Sequence, residues 1–204
     1  MSVEFIEKEN QQKDSAIVEE LSNFLFSHSA YLDGTFSLVN RKNTPVGSEE
    51  LDKLLRYRKK EIVAIDGVER KNLDEYISLM CNFYNCEIDE LGHRRGQLLE
   101  KLICKKGPLR KAKDYNMFKE ALIFNNKLPI SSRDIDIVFS FSDVELHECK
   151  SCLKNVIREP IKDKDREKLE LLCNTKKLIH SEKNNVMPMW LRIHWIVMGR
   201  YKIY

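Results

Sequence analysis

The chain has 204 residues, enough for one medium domain or a small domain with an extension. Hydrophobic residues make up 42% and charged residues 33%, while only 7 Gly and 5 Pro occur, which excludes collagen-like and low-complexity classes. Lys plus Arg is 35 and Asp plus Glu is 32; the resulting formal charge of +3 excludes a polybasic or polyacidic tail and is too small to argue for nucleic acid by itself. No stretch approaches the ~20 uninterrupted apolar residues of a membrane span. Met1 to Asp14 is polar and charged, without the apolar core of a signal peptide. A cytoplasmic protein with no membrane partner is therefore expected.

The pattern divides near residue 90, giving a helical N-terminal region, 1–90, of unassigned role and a second domain, 91–204. In the first part, Ile17, Val18, Leu21, Phe24 and Leu25 recur at helical spacing. Residues 29–48 carry Ser, Gly, Asn and Pro and read as a loop or short hairpin. Residues 49–60 suggest a second helix with Ser48 as a cap, and residues 72–82 a third. The basic run Arg56, Arg58, Lys59 and Lys60, interleaved with Tyr57, reads as a solvated helix face.

The second part is more regular. Residues 94–106 form an amphipathic helix with Leu98, Leu99, Leu102 and Ile103 inward, stopped by Gly107 and Pro108. Residues 117–125 read as a strand. Residues 133–141 alternate, with Ile135, Ile137 and Phe139 on one face and Asp134, Asp136 and Val138 on the other. A turn at Ser142 and Asp143 leads into a second alternating run, 144–150, so the two runs predict a hairpin. Residues 162–177 suggest a charged surface helix and residues 190–198 a final buried strand. The order is helix, three strands, helix, strand.

Two groups of residues carry possible chemistry. Cys81 and Cys86 with Cys149 and Cys152 match the spacing of a four-thiolate zinc or iron–sulfur site. Cys149 lies in an apolar alternating run, however, where a thiol acts as a small hydrophobe, and that reading is preferred. The second group is on the hairpin. Glu148 and Lys150 are two apart, so period two puts them on one face, and pairing brings Asp136 beside Glu148. Two carboxylates on a hydrophobic hairpin repel each other unless a cation compensates them. Hard oxygen donors of this kind suit Mg²⁺ or Mn²⁺.

The stretch R-D-I-D-I-V-F-S-F-S-D-V-E-L-H-E-C-K-S, residues 133–151, resembles the core of the PD-(D/E)XK, or restriction-endonuclease-like, nuclease superfamily. Upstream, R-G-Q-L-L-E at residues 95–100 is similar to the helix motif G-x-x-L-E of the same families, which include Mrr-like and CRISPR-associated nuclease domains. The resemblance covers residues 92–199. It implies an α/β fold with a mixed sheet flanked by helices, behind a mostly helical N-terminal extension. It further implies an Mg²⁺-dependent endonuclease in which Asp136 and Glu148 are metal ligands. The backbone carbonyl of Cys149 would be a third ligand and Lys150 the catalytic lysine. Glu100 would support the metal or its water, with Asp134 as an acidic neighbour. The implied partner is nucleic acid, DNA ahead of RNA, gripped by Lys105, Lys106, Arg110, Lys111 and Lys113, and a homodimer or partner subunit is compatible. The alternatives are a catalytically inactive nuclease-fold subunit that binds nucleic acid or a protein, and a zinc-binding interaction protein. The chain departs from the family in lacking a Gln in the helix at 162–177.

Overall fold

The computed structural model describes residues 3–9, 15–57, 70–150, 162–183 and 191–197. They fall into two compact units, one within Lys13–Lys105 and the other within Met1–Gln12 and Lys106–Val197. The division therefore falls after residue 105 rather than at 90. The long helix that the sequence assigns to the second domain belongs almost wholly to the helical unit, and the N-terminal residues belong with the sheet.

The helical unit is built from α1 (Ala16–Ser27), a single 3₁₀ turn at Ser29–Tyr31, α2 (Leu32–Arg41), α3 (Ser48–Tyr57), α4 (Arg70–Tyr84) and α5 (Ile88–Lys106). The apolar stripe of α1 is buried at Val18, Leu21, Phe24 and Leu25, as its spacing predicts. Phe24, Tyr31 and Tyr76 pack ring to ring, with centroids 4.6–5.9 Å apart. The Thr35 hydroxyl donates to the Tyr31 carbonyl and lies 2.9 Å from the Tyr76 hydroxyl. Residues 29–48 are not a loop: α2 forms there and buries Thr35, Phe36, Leu38 and Val39. Gly34, Ser37 and Asn40 lower its intrinsic propensity, but helices in proteins draw most of their stability from burying a face. Ser48 is the first residue of α3 rather than a cap before it. Arg94 ties α5 to the end of α4, donating at 2.8 Å to the carbonyls of Asn82 and Phe83 and at 2.6 Å to Glu90. It thereby satisfies carbonyls that a helix terminus leaves open. Arg56 is exposed and paired with Asp52 and Asp74, in keeping with a solvated face; Arg58, Lys59 and Lys60 lie outside the described residues.

The second unit is a mixed α/β sheet. Its strands are β1 (Val3–Glu7), β2 (Asn116–Asn125), β3 (Leu128–Pro129), β4 (Ile135–Ser140), β5 (Val144–Lys150) and β6 (Leu191–Val197), in the order β1-β2-β4-β5-β6 with β3 paired to β2. All pairs are antiparallel except β5 with β6, which are parallel. A parallel pair needs a crossover, and the helix α6 (Asp163–Lys183) lies in that connection. The expected order of helix, three strands, helix and strand is present with one addition, the two-residue β3 between the first and second of the three, and the hairpin turn falls at residues 141–143, where Phe141 N–H donates to the Asp143 carbonyl.

Three features differ from the sequence reading. β1 is an additional strand; its charged ends at Glu4 and Glu7 hide a short apolar alternation. β4 is buried on both faces, since Ile135, Ile137, Val138 and Phe139 all have no exposed surface. The helix α6 is not simply a surface helix: Leu171, Leu172 and Ile179 join Ala121, Ile123, Ile135, Val138, Val144 and Leu146 in one apolar cluster. Leu146 is wholly enclosed there, so Leu146→Ala is expected to destabilise the protein by about 2–5 kcal/mol, the range for emptying a packed leucine site. Urea unfolding followed by circular dichroism measures this, and a loss below about 1 kcal/mol would show that the cluster is loosely packed.

Candidate functional site

The hairpin places Asp136 and Glu148 side by side. The β4–β5 register runs Val138↔Leu146 and Ile137↔His147, so the next facing pair is Asp136 with Glu148. Both carboxylates reach one cation, the ammonium of Lys168 on α6. Its Nζ donates to Asp136 Oδ1 at 2.9 Å and to Glu148 Oε1 at 2.7 Å. The other Asp136 oxygen, Oδ2, accepts the backbone N–H of Cys149 at 2.6 Å. The Glu148 side chain has no exposed surface, and those of Asp136 and Lys168 are 16% and 15% exposed. Asp134 stands just before β4. Its Oδ1 is 3.9 Å from Lys168 Nζ, and its Oδ2 pairs with Lys8, which follows β1.

Burial of Lys168 works to lower its pKa, but Asp136 and Glu148 outweigh burial and raise it above the ordinary lysine value. Lys168 is therefore a permanent cation in the neutral range. Burial likewise opposes the ionised form of Asp134, yet Lys8 and Lys168 hold its pKa below the usual aspartate value. Carboxylate repulsion on the hairpin is thus partly offset. Asp136→Asn would leave one acceptor oxygen where the aspartate offers two, for Lys168 and for the Cys149 N–H.

Backbone geometry also singles out Asp136. On β2, Glu120 has φ of 44° and falls between the pairs Lys119↔Ile137 and Ala121↔Ile135, the position facing Asp136. A left-handed residue within a strand is uncommon and interrupts the ladder.

The two carboxylates fit a small divalent cation. Each offers an oxygen within 3 Å of a single point already held by a positive nitrogen. Mg²⁺ commonly uses one or two carboxylates and fills its remaining positions with water and substrate phosphate. Among the described residues no group of three or more His, Cys, Asp or Glu side chains is placed to hold a metal. A closed all-protein cage is therefore not what these residues make.

The other expected residues are distributed as follows. Lys150 ends β5, and its side chain lies outside the described residues. Cys149 is buried, and its N–H donates to Asp136 Oδ2. Glu100 is half-buried on α5 in the helical unit, whereas Asp136 and Glu148 belong to the sheet unit. Cys81 and Cys86 belong to the helical unit and Cys149 to the sheet unit, while Cys152 lies outside the described residues. Burial raises the thiol pKa of both Cys81 and Cys86.

The five cations expected to grip nucleic acid are not one open patch. Lys105 is engaged by Glu19 and Asn23, both at 2.7 Å, and Arg110 is paired with Asp143. Lys106, Lys111 and Lys113 are exposed. Lys113 lines an open cavity of about 420 Å³ with Asp114, Tyr115, Asn116, Ser140 and Phe141, none of them part of the carboxylate pair. Physically, acidic residues too far off in sequence to be weighed with this basic run have claimed two of its members.

Lys168 is the residue that sequence reading missed. The signal was present: Asp165, Leu172, Thr175 and Ile179 are all buried at alternating three- and four-residue spacing, and Lys168 falls on the same stripe. A lysine in a helix's buried stripe implies a buried anion.

A second buried charge system occupies the other side of β5. Glu145 accepts the backbone N–H groups of Leu109 at 2.8 Å and Arg110 at 3.0 Å, and lies 3.2 Å from His147 Nε2. It pins the chain that leaves α5. A scan of protein-family models finds no match to this chain, and neither does a search of curated proteins.

Burial works against the charged form of Glu145, but His147 and the two N–H donors outweigh it and hold its pKa at about 2. A depressed carboxyl pKa contributes stability that is present above its unfolded value, 4.5, and is lost as pH falls toward about 2. Glu145→Gln is therefore expected to lower stability at pH 7 and to flatten the acid limb between those two values. Denaturant midpoints measured from pH 7 to pH 2 check this, and an acid limb as steep as that of the wild type would refute it.

Proposed function

We propose that this chain is a metal-dependent nuclease of the restriction-endonuclease-like type, hydrolysing phosphodiester bonds in nucleic acid, with DNA ahead of RNA as the expected substrate. The observation that carries the reading is the convergence of Asp136 and Glu148, from facing positions of one hairpin, on a single cation position. The order of elements around them, with a helix before the three strands and a crossover helix before the last, supports it. A cytoplasmic protein, working as a homodimer or with a partner subunit, fits this reading. No helix among the described residues is long and apolar enough to cross a membrane.

In this mechanism Asp136 and Glu148 would hold Mg²⁺ or Mn²⁺, whose chemistry there would be to polarise the scissile phosphate and lower the pKa of a water. The Cys149 N–H fixes the rotation of the Asp136 carboxylate, leaving its second oxygen aimed at the shared cation position. Lys150 is assigned to position the attacking water and to offset charge that develops on the phosphate. Lys106, Lys111 and Lys113 are exposed cations suited to the phosphate backbone. Binding through them falls steeply with salt.

The second reading is a nuclease-fold subunit without activity. A specific observation favours it: Lys168 already pairs with both carboxylates and offsets one of their two charges without a metal. Cleavage assays on double-stranded DNA, single-stranded DNA and RNA separate the two. The nuclease reading predicts cleavage with Mg²⁺ or Mn²⁺, arrest by a chelator, and a loss of about a hundredfold or more in both Asp136→Asn and Lys150→Ala. Equal cleavage by wild type and both variants would assign the activity to a contaminant or to another site. No cleavage of any substrate by the wild type favours the inactive subunit.

A further inference from the structure

A lysine on the buried stripe of a crossover helix needs a reason. Lys168 brings its ammonium within 2.9 Å of both Asp136 and Glu148, the two groups to which a metal would bind. Its Nζ and a divalent cation cannot share that position, because two positive centres so close repel strongly in a low-dielectric site. Either the lysine excludes the metal or it must move when the metal arrives.

Three features leave movement open to it. First, the ammonium ends a flexible four-carbon stem rather than a rigid fork, so it can travel without moving α6. Second, the Lys168 side chain is 15% exposed while that of Glu148 has no exposed surface, so the lysine is the more accessible of the two. Third, a place to go exists: Asp134 Oδ1 lies 3.9 Å from Nζ, already at ion-pair distance. Moving toward Asp134 keeps the ammonium beside a carboxylate and spares it the cost of an unpaired buried charge.

We infer that Lys168 is a resident counter-ion of this site, which a divalent cation displaces from Asp136 and Glu148 toward Asp134. The inference rests on the metal-binding half of the reading above and goes beyond it, because it gives the site a built-in threshold. Metal binds only in the fraction of molecules from which the ammonium has withdrawn, so the apparent affinity is reduced by that fraction. The resident cation also keeps the buried carboxylates compensated while metal is absent. Lys168 is thus a positioning residue that acts through the carboxylates.

The test uses Mn²⁺ as probe and the full chain, with binding read from the paramagnetic resonance signal of the free ion and not from cleavage. Lys168→Met is expected to bind Mn²⁺ about tenfold more tightly than wild type, because the competing cation is gone. Its metal-free melting temperature should fall, and Mn²⁺ should restore it by mass action. In wild type, acetic anhydride labelling read by mass spectrometry should modify Lys168 slowly without metal and faster at saturating Mn²⁺. This arm decides the matter if Lys168→Met fails to fold. Unchanged Lys168 labelling at saturating Mn²⁺ overturns the inference, whatever the affinity of the variant, and so does a variant that folds and binds no more tightly than wild type. If only the variant binds Mn²⁺, displacement is overturned: Lys168 then excludes the metal, and the inactive-subunit reading gains. If neither binds, the inference falls together with the metal-dependent reading. Displacement of Lys168 without cleavage of any nucleic acid would sink the nuclease reading alone.

Discussion

The sheet unit depends on one arrangement of charge. Two carboxylates from facing positions on a hairpin share the ammonium of a lysine on the helix packed above them. Each partner alone would be an uncompensated charge in a site with little water, which costs several kcal/mol. Together they fix three elements: β4 and β5 in register, and α6 by a point contact near its first turns. The apolar cluster of Leu146, Val138, Leu171 and Leu172 supplies nondirectional attraction between helix and sheet. The three-way ion pair supplies the direction, since a rotation of α6 by one residue would move the ammonium about 100° away from its acceptors.

Period-two geometry lets β5 serve two purposes at once. Val144, Leu146 and Glu148 belong with α6, while Glu145 and His147 belong with the chain leaving α5 and with Phe139. One strand therefore carries two buried acids that never meet. Glu148 shares a mobile ammonium. Glu145 is held by backbone N–H groups, which cannot withdraw. The first arrangement suits exchange of one cation for another, and the second suits permanent anchorage.

Much of the sheet unit was legible in the sequence because its signals are local. Alternation over 133–141 and 144–150 with polar residues between them specifies a hairpin, and the hairpin alone makes Asp136 and Glu148 neighbours. Lys168 was not legible in the same way, because its partners lie 20 and 32 residues away and only the packing of α6 brings them within reach. The same limit explains Lys105 and Arg110. Each reads as a free cation beside its sequence neighbours, yet their acceptors Glu19 and Asp143 arrive through tertiary folding. The strand at Val3–Glu7 was hidden by its own charges, and α2 by its Gly, Ser and Asn. In α2 burial outweighs local preference, and in the strand antiparallel pairing with β2 does. The sequence resemblance spoke to chemistry at Lys150 and Glu100, which the geometry of Asp136 and Glu148 neither supplies nor replaces.

The crossover between the parallel strands has a consequence for the order of events during folding. The β4–β5 hairpin closes over a three-residue turn at 141–143, the kind of contact that forms within microseconds. Lys168 reaches the hairpin only when the chain beyond Lys150 has doubled back and α6 has docked, and such long-range closure is intrinsically slower. The pair of carboxylates is thus set by the more local of the two closures, and its ammonium by the less local one.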